Sequence, residues 1–240
     1  MYNLSLRGRG QRDPSLGNIE MKLFYGTGNI SKLRNMRALL EGLPIELISP
    51  LEHNIELPAV PENGNTPWEN AKDKALAYFR ATGMPSMGLD SGLYVEGLLQ
   101  DEQPGTHVRR VNGRTLSDEE FINYYASIAK QHGGRVKARF VNGLCVVADE
   151  DRIKCAGGPQ ISTDWFWIVE APHAIRIDGF PMDSIAVDPR SMKYWVEADI
   201  EDEQTAKGVG LSNGIRQFFS ELVEENYTSM ILEEYEYETH

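Results

Sequence analysis

An apolar run ending at Tyr25 breaks into the small turn Gly26-Thr27-Gly28-Asn29, and Lys32 follows three residues later. A strand feeding such a turn and then a helix brings backbone N–H groups and the positive helix end to one point, where a phosphate can sit. Helix electrostatics favours acids in a first turn, so Lys32 is misplaced unless an anion offsets it. The stretch lacks the spaced glycines and the Lys-Ser/Thr ending of a Walker loop. Taken alone, Lys32 reads most simply as a solvated surface lysine. Three further stretches carry residues of catalytic type. In Glu69-Asn70-Ala71-Lys72-Asp73-Lys74-Ala75, Asn70 and Lys74 lie one helical turn apart. Glu69 stands at the helix start, where it also reads as the acid of a capping box opened by Thr66. Asp90 ends an apolar run and precedes Ser91 and Gly92, so its carboxylate can face a cleft or merely belong to a turn. Phe180 stands three residues before Asp183.

These residues need a frame. "MKLFYG" reads as a strand, and Leu33, Met36 and Leu40 share one face of a helix that Gly42 and Pro44 stop. "IELIS" from Ile45 is a second strand. Thr66-Pro67-Trp68-Glu69 opens a helix that ends at Thr82-Gly83-Met84-Pro85. Ser117-Asp118-Glu119-Glu120 opens another, with Phe121, Tyr125, Ile128 and Ala129 as its apolar stripe. In "RVKARFVNGLCVVADEDRIKCA" the alternation around Asn142-Gly143 predicts a hairpin turning at that pair. "DWFWIVEA" continues the sheet, and a last helix starting near Asn213 buries Ile215, Phe218, Phe219, Leu222 and Val223. The sum is an α/β fold: a mixed twisted sheet with flanking helices, in two lobes around a central cleft.

The chain of 240 residues, 41% of them hydrophobic, is long enough to bury a sizeable core. Residues 1–20 read as a flexible leader, 21–227 as one two-lobed domain, and 228–240 as a solvated acidic tail. Against 24 Lys and Arg stand 36 Asp and Glu, a net charge of −12, which argues against a non-specific hold on a nucleic acid polymer. Small anions remain compatible with it, since a few local lysines outweigh a distant field. No apolar stretch reaches membrane-spanning length and no signal core follows the N-terminal arginines, so no membrane partner and a cytoplasmic location are expected. Cys145 and Cys155 have no metal-type spacing and are expected to be free thiols packed in strands, in a reducing compartment.

Five stretches in this order resemble the Ham1 family of inosine triphosphate pyrophosphatases. The family's Thr/Ser-x-Asn-x-x-Lys is similar to Thr27-Gly28-Asn29-Ile30-Ser31-Lys32, and its Glu-Asn-Ala-x-x-Lys-Ala is met by Glu69 through Ala75. Its Asp-Asp-Ser-Gly-Leu resembles "LDSGL", with Leu89 in place of the first acid. "QPGTHVRR" resembles the Pro-Gly segment that carries an arginine, here Arg110, and "GFPMDS" resembles Gly-Phe-Gly-Tyr-Asp-Pro. The resemblance runs from about Met21 to Tyr227. It implies Mg²⁺-dependent hydrolysis of a purine nucleoside triphosphate, of non-canonical base, between the α and β phosphates, giving monophosphate and pyrophosphate. Glu69 and Asp90 would then be metal ligands, Asp90 also the base for the attacking water, and Lys74 a third catalytic group. Thr27, Asn29, Lys32, Asn70, Ser91 and Arg110 would bind substrate. Phe180 would stack on the base, and Asp183 would accept from its edge. A homodimer is implied too. The family's Ser-His-Arg, which reads the 6-oxo group, meets only "SNGIR": Ser212 is retained, Asn213 and Gly214 follow, and Arg216 comes two residues late. The base is therefore open, and a pyrophosphatase for another nucleotide or a nucleotide-binding protein with impaired catalysis are the alternatives.

Overall fold

The computed structural model describes residues 21–53, 55–111, 113–197 and 209–238. The expected leader lies outside the described residues. Strand β1 (Met21–Tyr25) runs into helix α1 (Ile30–Leu40), and β2 (Ile45–Ile48) returns parallel to β1. A short helix α2 (Pro50–His53) and a loop lead to α3 (Pro67–Thr82), after which β3 (Ser86–Val95) pairs parallel with β1 on its other side. Strands β4 (Arg110–Val111) and β5 (Arg114–Thr115) form a small hairpin before α4 (Asp118–Gln131). The longest strand is β6 (Arg135–Val147), followed by β7 (Ile153–Gly157), β8 (Phe166–Val169), β9 (Ala186–Val187) and helix α5 (Val209–Glu238). The main sheet has the order β2-β1-β3-β6-β8-β9, with β7 on β6, and is mixed as expected.

Local signals explain the helices that matter here. At α3 both halves of the capping box form, Thr66 accepting from the Glu69 N–H and Glu69 from the Thr66 N–H, and Gly83 ends the helix in the left-handed conformation. Ser117 and Glu120 repeat the box at α4. One core gathers Leu33, Met36 and Leu40 of α1 with Ile215 and Phe219 of α5. A second gathers Phe121 and Tyr125 of α4 with Phe166, Ile168 and Trp195. Because β6 contributes Leu144 and Val146 to the first and Val136 and Ala138 to the second, one strand serves both cores.

Successive strand residues face opposite sides of the sheet. Met87 of β3 and Leu144 of β6 join the α1/α5 core, whereas Cys145 and Val147 pack with Ala71 and Ala75 of α3. Helix α3 lies on its strands at backbone distance: a Cβ on Gly143 would stand 2.3 Å from the Trp68 nitrogen, and one on Gly88 would stand 2.0 Å from the Ala71 carbonyl oxygen.

That close approach corrects the predicted hairpin. Asn142-Gly143 does not turn; β6 runs straight through it, because Gly143 is needed under α3 and the buried Asn142 side chain is bonded inside the protein. The turn comes later, where the Asp149 carboxylate accepts the N–H groups of Asp151 and Arg152 and Ala148 bonds Arg152. The same register overturns the expectation for the cysteines. Cys145 pairs directly with Cys155 across β6 and β7, their Cα atoms 4.0 Å apart, and the two form a disulfide. Helix α5 begins at Val209 rather than near Asn213 and continues to Glu238, through most of the segment read as a tail.

Candidate active site

Asp90 sits where β3 passes beneath the first turns of α3, opposite Gly143 in the register. On that face its two oxygens are taken by α3: Lys74 donates to Oδ1 at 2.7 Å and Asn70 donates to Oδ2 at 3.0 Å. The helical spacing of Asn70 and Lys74 thus serves one carboxylate. Asn70 is buried, and its own carbonyl accepts from the Gly64 N–H, which fastens the preceding loop to the same point. That loop delivers Glu62, whose carboxylate lies 2.8 Å from the Lys74 ammonium and 3.9 Å from Arg110. Burial alone would lower the Lys74 pKa, but its two carboxylate partners, Asp90 and Glu62, outweigh burial and raise it. For Glu62 burial pushes upward, and Lys74, Arg110 and Lys32 together hold the pKa below the ordinary carboxylate value.

The turn after β1 approaches this centre from the side. The Thr27 hydroxyl accepts from the Asn29 N–H at 3.2 Å, and Asn29 in turn caps α1 by accepting from the Lys32 N–H at 3.1 Å. Lys32 keeps solvent contact as a residue, yet the partial withdrawal of its ammonium from water is the largest influence on its pKa and lowers it. The charge of Lys74 acts in the same direction, and Asp90 and Glu62 oppose it. The side-chain nitrogen of Asn29 lies 3.2 Å from where a Cβ on Gly179 would stand, so the turn abuts the loop that carries Phe180. Asp118 secures that loop, accepting from the Gly179 N–H and pairing with Arg109 at 2.6 Å.

On the other sheet face a cavity of about 200 Å³ opens, lined by Lys32, Leu89, Ser91, Phe180, Ser212 and Ile215 among others. Asp183 is buried in the 3-10 turn Pro181–Ser184 and is not among the residues lining the cavity. Glu69 lies apart from this centre in its hydrogen bonds: one carboxylate oxygen accepts from the N–H groups of Asn65 and Thr66. Arg216 is not among the residues lining the cavity and donates to the carbonyls of Leu39 and Glu41 at the C-terminal end of α1. Gly214 sits against the turn Gly158–Ile161, where a Cβ would stand 1.9 Å from the Gln160 carbonyl oxygen.

Sequence reasoning missed Glu62, Arg109 and Asn142. Glu62 stands in an aperiodic loop that offers no pattern to read. Asn142 did carry a signal, a polar residue on the core-facing side of an alternating strand.

The model of the Ham1 family matches residues 23–160 of this chain. A dITP/XTP pyrophosphatase of Thermus thermophilus is 30% identical over 183 residues, covering 76% of this chain and 84% of the relative. The chain belongs to the Ham1 family. A dITP/XTP pyrophosphatase of Geobacter sulfurreducens is 43% identical over a shorter 98 residues, 41% of this chain and 48% of the relative, so the chain spans about half the length of that relative. Among solved structures, a HAM1 protein from Coxiella burnetii superposes with a TM-score of 0.67 at 24% identity, covering 85% of this chain and 99% of that one. A dITP/XTP pyrophosphatase from Mycobacterium abscessus gives 0.56 at 26% identity, covering 77% and 92%. The Ham1 fold accounts for the mixed sheet and the helices on both its faces.

Proposed function

We propose that this chain is a nucleoside triphosphate pyrophosphatase that cleaves a purine nucleotide, of non-canonical base, between its α and β phosphates. The observation that carries the reading is Asp90, held by Lys74 and Asn70 and joined through Lys74 to Glu62, beside the turn that leads into α1 and its Lys32. The names of the relatives from Thermus and Geobacter support the same activity. In this mechanism Lys32, Lys74 and the backbone of the Thr27–Asn29 turn bind the triphosphate and stabilise charge on the departing pyrophosphate. Asp90 orients the attacking water and accepts its proton. Phe180 stacks on the base.

Mg²⁺ fits the donor set. Two carboxylates that converge on one ammonium offer oxygens to a hard dication, whose remaining positions go to water and phosphate. Among the described residues no group of three or more His, Cys, Asp or Glu is placed to hold a metal ion, so water and phosphate would have to complete the coordination. Bound there, the ion would polarise the α-phosphate and lower the pKa of the attacking water. Asp90 is one ligand in this reading. Glu69, the expected second, has its carboxylate in the helix cap, and we assign that place to Glu62.

The product test is direct. Wild-type protein should give pyrophosphate and monophosphate, and Asp90→Asn, which keeps the shape and removes the charge, should lose about 10²-fold or more in turnover. Stepwise orthophosphate release, or wild-type turnover in the variant, would defeat the reading. We also propose a homodimer. A cation–π strip suits a second copy, with Arg135 over Trp167 at 4.5 Å and Arg139 over the exposed Trp165 at 4.9 Å, since Arg and Trp are enriched in interfaces. Light scattering at micromolar concentration measures the assembly. No helix among the described residues is long and apolar enough to cross a membrane.

A further inference from the structure

The cavity on the α1/α5 side has an unusual lining for a site that reads a polar base. Its walls are mostly carbon, from Met36, Leu39, Leu89, Leu211 and Ile215 with Phe180 among them, and Tyr25, Asn35 and Ser212 add polar groups at the lining. The charged lining residue is Lys32, and no carboxylate or guanidinium lines it among the described residues. Ser91 and Asn142 are spent on each other and on the backbone. The Ser91 hydroxyl donates to the Asn142 carbonyl at 2.6 Å, and the Asn142 amide donates to the Ile161 carbonyl at 2.5 Å. Arg216 cannot serve as a donor here while it caps α1, and residue 214 cannot carry a longer side chain against Gln160.

A polar edge turned to the Leu89 side of this cavity meets carbon, and leaving its donors and acceptors unpaired there is a cost that an alkyl group does not incur. Leu89 is central, because strand alternation turns it to the cavity beside Ser91 and away from the carboxylate of Asp90. We infer that the cavity selects purine nucleotides whose six-membered ring carries an alkyl substituent on its O6 or N6 edge, with Leu89 as the specificity-determining residue. This rests on the pyrophosphatase reading and names its substrate class.

The test measures kcat/KM for pyrophosphate release from O6-methyl-dGTP and N6-methyl-dATP against dGTP, dATP and dITP. Each methylated nucleotide should exceed its parent by about tenfold, the lower end of what one methyl group earns in an apolar pocket. Leu89→Asn should bring that ratio below about twofold, and Leu89→Ala, which stays apolar and adds room, should shift preference toward O6-ethyl-dGTP. A preference for dITP over both methylated nucleotides, or ratios that neither variant changes, would overturn the inference and leave the pyrophosphatase reading standing. If no nucleotide releases pyrophosphate, that reading fails instead, and selectivity is then measured as binding of O6-methyl-dGMP against dGMP. Equal affinities there would overturn the inference as well.

Discussion

The two faces of strand β3 behave as two different proteins. Toward α3 it presents Asp90, a carboxylate whose side chain is only 12% exposed and whose partners are a lysine and an asparagine one helical turn apart. Toward α1 and α5 it presents Leu89 and Ser91, at the wall of a largely apolar cavity. The first face, where we place the reaction, carries Asp90 with Asn70 and Lys74 at the spacing of the family resemblance. The second, where we place selectivity, has Leu89 where the resemblance expects an acid, and on α5 Asn213 and Gly214 stand where it expects a donor pair. A period of two lets a strand hold one role fixed while the neighbouring residue drifts, since adjacent side chains never share an environment.

The sharpest way to break this division is through the two glutamates near α3. Glu62→Gln keeps the size of the side chain and removes a charge shared with Lys74 and Arg110 and, in this reading, with the metal, so activity should fall at least about 10- to 100-fold, the loss that follows when groups merely supporting a metal site are removed. Glu69→Gln should retain the cap, because a glutamine oxygen still accepts from Asn65 and Thr66, and should leave turnover within about threefold. Turnover across a Mg²⁺ titration checks both. A reversed order would return the metal to Glu69 and leave Glu62 a structural ion pair.

Much of this was legible in the sequence because it was local. Both capping boxes, the helix faces of α1 and α4 and the turn before Lys32 are short-range patterns, and each formed where its residues indicated. Misreadings arose where a residue answers to a distant partner. Asn142-Gly143 has the composition of a tight turn, but the pressure of α3 on Gly143 and the burial of Asn142 decide otherwise. Arg216 looked like a displaced pocket residue, and only the packing of α5 against α1 directs it to the carbonyls of Leu39 and Glu41. Glu62 belongs to the site through a loop whose course no periodicity announces.

The disulfide lies on the α3 side and extends the comparison to stability. Cys145 packs with Ala71 and Ala75 beneath the helix, while Cys155 stands on the outer strand ten residues later. Closing so short a loop in the unfolded chain is worth about 2 kcal/mol, the lower end of the usual range. Cys155→Ser should therefore lower the unfolding free energy by about that amount in denaturant titrations under non-reducing conditions, with kcat little changed. Equal stabilities of wild type and variant would mean the bond adds nothing beyond the strand pairing. A fall in kcat would mean that the frame beneath α3 reaches Asp90.

The smallest expected effect belongs to Lys32, which stands between the two faces. Its pKa lies below the ordinary lysine value, first because its ammonium is partly withdrawn from water and then because Lys74 is near. The free protein must hold this lysine charged to capture a triphosphate. As pH rises through the lowered pKa the charge is lost, so kcat/KM should decline before an unperturbed lysine near 10.4 would titrate. Bound anion favours the protonated form, so kcat at saturation should persist to higher pH than kcat/KM. Lys32→Arg stays charged throughout, which should move the alkaline limb of kcat/KM upward at the cost of a few-fold loss at neutral pH, because a planar guanidinium does not replace a compact ammonium. Profiles of both proteins from neutral pH upward decide it. Coincident alkaline limbs would remove Lys32 from the anion site and leave the turn after β1 to hold phosphate through its backbone alone.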